Sequence, residues 1–123
     1  VRIIGVVSAL APAYQQSFRA GRAIEVPATT QLADGMACRV PEARAVEIIR
    51  REVDDVIAVD DAEVAAAMRL LFAATHNVAE GAGAAGLAGL WQQRERWRGR
   101  RVGIVLSGGN VDSAVFARVL AGA

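Results

Sequence analysis

The sequence predicts an α/β domain built on a parallel sheet, and three observations carry that expectation. Short β-branched runs recur along the chain at Ile3–Val7, Val56–Val59 and Val102–Leu106. None shows polar alternation, the pattern of parallel strands covered on both faces. Between them the apolar spacing becomes helical, and strands alternating with helices give helical cover over a sheet.

The elements follow in order. After the opening strand, Pro12 to Ala20 reads as a short helix ended by Gly21. Arg22 to Pro41 holds Pro27, Thr29, Thr30 and Gly35 and reads as one long connection, a class of segment often tied to function. Glu42 to Val53 carries Ala45, Ile49 and Val53 at spacing four, with Arg50, Arg51 and Glu52 turned outward. Beyond the second strand, Asp60 or Asp61 caps a helix whose face is Val64, Met68, Leu71, Phe72 and Thr75. Glu63, three residues after Asp60, completes a capping box. Gly81 to Trp91 is dense in Gly and Ala, as in a helix packed tightly against a sheet or a ligand. The third strand leads to a final helix at Val111 to Leu120.

Composition narrows the function. A chain of 123 residues with 54% hydrophobic and 22% charged residues suits one domain with a real core. A formal net charge of +1 argues against global attraction to nucleic acid or an anionic membrane. All fourteen basic residues are arginine, so chemistry that needs an amine side chain has no bearer here. A single cysteine, Cys38, excludes an intramolecular disulfide and a thiolate zinc cluster. The opening apolar stretch is too short for a signal peptide. The longest near-apolar run, Gly81 to Trp91, is far below the roughly 18–20 residues of a membrane span. A cytoplasmic protein is expected. Opening in a strand without an initiator methionine, the chain reads as cut from something longer.

Three segments are candidate sites. In Val102–Asp112 a strand runs through Ser107-Gly108-Gly109-Asn110 into a helix, where ligands of open α/β sheets bind beyond strand ends. The alternative is a plain turn with Asn110 or Asp112 capping the helix. In Glu80-Gly81-Ala-Gly83-Ala-Ala-Gly86 the glycines satisfy G-x-G-x-x-G. A helix precedes them instead of a strand, and no acidic residue follows at about twenty positions, so the dinucleotide reading is rejected. Glu80 stands at a helix N-terminus, where capping is its alternative role. Thr29 to Ala37 contains Asp34-Gly35, alone only a turn signal. His76 has no metal-binding partner, and Cys38 has no activating one. The arginines around Trp97 read as a solvated helix end in preference to a nucleic-acid surface.

Taken together, Thr30-Gln-Leu-Ala-Asp-Gly35, Ile49-Arg-Arg-Glu-Val-Asp-Asp55, Ala79-Glu-Gly-Ala-Gly83 and Val105-Leu-Ser-Gly-Gly-Asn-Val-Asp112 form an ordered pattern. It resembles the C-terminal part of the catalytic domain of threonine dehydratases, with serine racemases and serine dehydratases as relatives. These are fold-type II, tryptophan synthase β-like enzymes that use pyridoxal phosphate. The resemblance implies an α/β segment, part of a parallel, helix-covered sheet, spanning residues 1–123 without a regulatory domain. It implies that Ser107 contacts the pyridine nitrogen, where a neutral hydroxyl leaves the ring less fully protonated. It places Glu80 near the ring, Ala33, Asp34 and Gly35 as a wall, and Gly108 and Gly109 as a floor.

The departures are equally specific. The family's Schiff-base lysine, phosphate-binding glycine loop and substrate-carboxylate loop belong to an N-terminal part that these residues do not match. No catalytic residue is therefore expected within the chain. Many members bind a divalent cation through an acidic residue just after the opening strand. Val6 to Leu10 offers no carboxylate, and no metal ligand is expected. The resemblance implies as partners the N-terminal portion, a small amino-acid substrate and a further copy in a homo-oligomer, with neither nucleic acid nor membrane. The remaining alternatives are a non-catalytic or partner-requiring α/β ligand-binding module and an amino-acid racemase.

Overall fold

The structure, a computed structural model, describes residues 1–122. Strand β1 (Ile4–Ser8) leads into helix α1 (Ala13–Ala20), and the connection through residue 41 holds one short 3-10 turn at Asp34–Met36. Helix α2 (Ala43–Glu52), strand β2 (Asp55–Val59), helix α3 (Asp61–Thr75), helix α4 (Gly81–Gln92) and helix α5 (Ser113–Ala121) follow. β1 and β2 are parallel, in register from Ile4 opposite Asp55 to Ser8 opposite Val59.

Helix boundaries fall where capping chemistry puts them. Gly21 ends α1 in the left-handed region at φ 74°. The Glu42 carboxylate accepts from the Arg44 and Ala45 N–H groups and starts α2. Asp60, not Asp61, caps α3, and the capping box forms in both directions: Glu63 N–H to Asp60 at 2.7 Å, Asp60 N–H to Glu63 at 2.9 Å. Asp112 caps α5 through the Ala114 and Val115 N–H groups.

The core lies between β2, α3, α4 and α5. Val59, Val64, Ala67, Met68, Ala79, Ala84, Ala85, Ala88 and Val119 form it. The predicted α3 face is only partly correct. Val64 and Met68 are buried and Leu71 and Phe72 half-buried, while Thr75 is exposed and donates to its own helix at the Leu71 carbonyl. Alanines and glycines let α4 lie close to its neighbours. At Gly89, Val6 of β1 and Ile57 of β2 fill the space a side chain would take.

One expected strand is absent. Val102–Leu106 belongs to no regular element and its apolar side chains are exposed, Val105 at 80%. Residues 101–107 make no backbone hydrogen bond among the described residues. β-Branched composition favours an extended chain, but a strand exists only where neighbours satisfy its N–H and C=O groups. Ile104 rests beside Gly86 of α4, so the segment shares the helix face that covers β1 without bonding to the sheet.

The two edges of the sheet differ. The Val59 carbonyl accepts from Ala9, so alternation turns the Val56 and Ala58 carbonyls away from β1. The Gln15 side-chain amide donates to Val56 at 3.1 Å, and that of Gln92 donates to Ala58 at 3.0 Å. These side chains close the β2 edge. The far edge of β1 has no neighbouring strand among the described residues.

Candidate functional site

Three separate stretches of chain meet at the first turn of α4. Its N-cap is Glu80, whose carboxylate makes no capping hydrogen bond, so the capping role considered for it is not realised. Its backbone N–H instead donates to the Gly108 carbonyl at 3.0 Å, tying the Ser-Gly-Gly segment to the start of the helix. The Gly108 carbonyl also sits against Gly83, leaving no room there for a Cβ. The Leu32 carbonyl occupies the same position over Gly81. Glycine at 81 and 83 is thus required by close backbone approach, which explains a G-x-G pattern unrelated to dinucleotides.

The Glu80 carboxylate lies between the other two stretches. A Cβ on Gly108 would stand 2.5 Å from Glu80 Oε1, and one on Gly35 would stand 3.9 Å from that oxygen and 3.0 Å from Ala82 Cβ. Gly109 lies against the Val78 carbonyl, 2.6 Å from where its Cβ would be. Gly35, Glu80, Gly108 and Gly109 therefore converge. Ala33 is fully buried and supports the loop from beneath. Asp34 is exposed, and its carboxylate accepts from the Gly35 N–H at 2.9 Å, a local turn contact. Ser107 is exposed at the end of the unpaired segment, with no hydrogen bond among the described residues.

Sequence reasoning missed the tie that holds the first stretch. Thr30, only 8% exposed, donates to Asp61 Oδ1 at 3.0 Å and accepts from the Ala33 N–H at 3.1 Å. The partners are 31 positions apart, so no local pattern links them. On the other side of the turn, a cavity of about 490 Å³ is lined by Gly5, Val6, Tyr14, Met36, Cys38 and Val53, and by Gly35 itself.

The weaker candidates resolve structurally. His76 is the left-handed C-cap of α3 at φ 57°, and no cluster of three metal-ligating side chains occurs among the described residues. After α4, Arg94 lies 5.5 Å from the Trp91 ring centroid and Arg96 lies 4.8 Å from that of Trp97, while Arg98 pairs with Glu95. No helix among the described residues is long and apolar enough to cross a membrane.

A parallel sheet under helices, with glycine-bearing loops gathered at one helix N-terminus, defines an α/β architecture of the fold-type II kind. The profile of the family described as "Pyridoxal-phosphate dependent enzyme" matches residues 1–108, and the chain belongs to that family. It is 42% identical over 120 residues to the L-threonine ammonia-lyase of Geobacter sulfurreducens, covering 98% of this chain and 30% of that protein. Among solved structures, the T.th. threonine deaminase superposes with a TM-score of 0.83 at 33% identity, over 90% of this chain and 40% of that one. Maize serine racemase superposes with a TM-score of 0.84 at 30% identity, over 98% and 38%. The chain thus spans about a third of the length of the curated relatives it matches.

The family's cofactor is pyridoxal phosphate. For its planar ring, the residues present fit: bare backbone at Gly35, Gly108 and Gly109, a carboxylate at Glu80 not engaged in capping, and an exposed hydroxyl at Ser107. For its covalent hold they do not, because the sequence has no lysine.

Proposed function

We propose that residues 1–123 are the C-terminal portion of the catalytic domain of a threonine/serine ammonia-lyase, and supply the pyridine side of its cofactor pocket. The observation that carries this reading is the convergence of Gly35, Glu80 and Gly108–Gly109 on the first turn of α4. The 42% identity to an L-threonine ammonia-lyase supports the substrate class. Bound pyridoxal phosphate supplies an electron sink for the substrate's α-carbon. Within this reading, the Ser107 hydroxyl would meet the ring nitrogen and leave it less fully protonated. The Glu80 carboxylate borders the ring, Ala33–Gly35 walls the cofactor and substrate, and Gly108 and Gly109 let backbone approach the ring face.

The lysine, the phosphate loop and the substrate-carboxylate loop come from the partner portion. Two further features support a partner: the open β1 edge and the exposed, unbonded 101–107 segment, both on the sheet side of α4. A strand from the partner between them satisfies both sets of backbone groups. A homo-oligomer, a cytoplasmic location and the absence of a regulatory domain within these residues belong to the same proposal. The 30% identity to maize serine racemase favours, as the second reading, a racemase of this family.

The test is complementation. The purified 123-residue chain is expected to form no 2-oxo acid from L-threonine or L-serine. Mixed with the N-terminal portion of its family, it is expected to restore cofactor absorbance and turnover. Turnover by the isolated chain overturns the proposal, and racemised serine without 2-oxo acid selects the second reading.

A further inference from the structure

The Leu32–Gly35 stretch has almost no regular structure, yet it is placed to within a backbone contact of α4. Leu32 lies with its carbonyl on Gly81, Ala33 is fully buried, and Gly35 reaches the space beside Ala82 and Glu80. A 3-10 turn of three residues does not explain that placement by itself. Within the connection of residues 22–41, Thr30 is the one buried polar side chain among the described residues.

We infer that Thr30 and Asp61 are positioning residues of the site, a two-way clamp that sets the Ala33–Gly35 wall against Glu80. This inference rests on the cofactor reading above. The Thr30 hydroxyl is used in both directions. It gives its proton to Asp61 Oδ1 at 3.0 Å and takes the Ala33 N–H at 3.1 Å. Polarisation along such a chain makes each bond strengthen the other. Asp61 is a rigid anchor because it is the first residue of α3, directly after Asp60 of the capping box. Its side chain accepts the Thr30 hydroxyl from the first turn of that helix.

The clamp ties the loop to α3, in addition to the packing of Leu32 and Met36 on the core. α3 packs on α4 through the alanine-rich core, which fixes the Asp61 backbone relative to Glu80. Thr30 then transmits that fixed position to Ala33, and Gly35 follows two residues later. Cutting the hydroxyl leaves a buried Ala33 N–H and a carboxylate without their partner. A cost of that kind is met by moving the loop, because Thr30 makes the one side-chain hydrogen bond from residues 30–36 to α3 among the described residues. Gly35 then withdraws from Ala82 and the wall opens. Serine at position 30 keeps both hydrogen bonds, and Asn at 61 keeps the acceptor while losing the charge.

The experiment uses the complete polypeptide that carries these residues, as Thr30→Val, Thr30→Ser, Asp61→Ala and Asp61→Asn. Val46→Ala, a buried α2 position away from the loop, controls for lost stability alone. Amide hydrogen exchange at Ala33 and Gly35 is read first, then pyridoxal phosphate affinity from cofactor fluorescence. Thr30→Val and Asp61→Ala are expected to speed exchange at Ala33 and weaken cofactor binding by about tenfold or more, the loss of one buried hydrogen bond. Thr30→Ser and Asp61→Asn are expected to stay within about threefold of the parent on both readouts. Unchanged exchange at Ala33 in Thr30→Val overturns the clamp. So does equal loss of cofactor affinity in Val46→Ala. If the parent polypeptide binds no pyridoxal phosphate, the cofactor reading fails, while the exchange comparison still decides the clamp.

Discussion

The two margins of the sheet are built to opposite rules. At the β2 margin, Gln15 from α1 and Gln92 from α4 reach over the strand and occupy its outward carbonyls. An edge covered in this way offers little to another chain. At the β1 margin nothing comparable occurs among the described residues, and the apolar segment Val102–Leu106 stands exposed with its backbone groups free. The β2 half, with α3, α4 and the Met68 core, is complete in itself. The β1 half has the composition of a buried sheet and the exposure of a surface. Self-sufficiency at one margin and incompleteness at the other is what the proposed docking of an N-terminal portion against β1 requires.

Three variants separate the halves, in descending order of effect on the chain itself. Met68 is wholly buried among α3, α4 and α5 residues. Met68→Ala is expected to cost about 2–5 kcal/mol in urea unfolding, the range for a large core side chain cut to alanine. A loss below about 0.5 kcal/mol, the usual size of a surface effect, would show that the closed half is not the stable one.

The margin itself comes next. Gln15→Ala with Gln92→Ala removes both side-chain donors, and the pair is expected to cost about 1–3 kcal/mol. Opening this edge is also expected to promote self-association, measured by sedimentation, because two carbonyls become available for strand pairing. A stable, monodisperse double variant would mean that the glutamines do not protect the edge.

The smallest effect on the chain is expected at Val105, 80% exposed. Val105→Asn should change the stability of the isolated chain by no more than about 0.5 kcal/mol. It should nevertheless impair reconstitution with the N-terminal portion, since the proposal buries this side chain in the completed sheet. Complementation at parent level would remove Val102–Leu106 from the proposed interface.

Most of the secondary structure is legible in the sequence. Helix limits at Gly21, Asp60 and Asp112 and the strand around Val56–Val59 follow from local chemistry, which a sequence displays directly. Val102–Leu106 reads as a formed strand and is not one, because β-branched residues report a preference for extended backbone, not the presence of neighbours. The site is legible in its pieces and not in its join. Ser-Gly-Gly, Glu80 and Asp34-Gly35 can each be found as a turn or cap signal. Their meeting at α4, and the Thr30–Asp61 tie behind it, arise from contacts between residues far apart in the chain.

By itself, then, the sequence determined the alternation of strands and helices, the caps that bound them and the lack of any amine side chain for covalent chemistry. Each is a property of a residue or of its near neighbours. Only the tertiary structure decided which strand edge is closed, which apolar run lies bare, and why Gly81 and Gly83 admit no side chain. Those are properties of space between distant segments, filled by the Leu32 and Gly108 carbonyls.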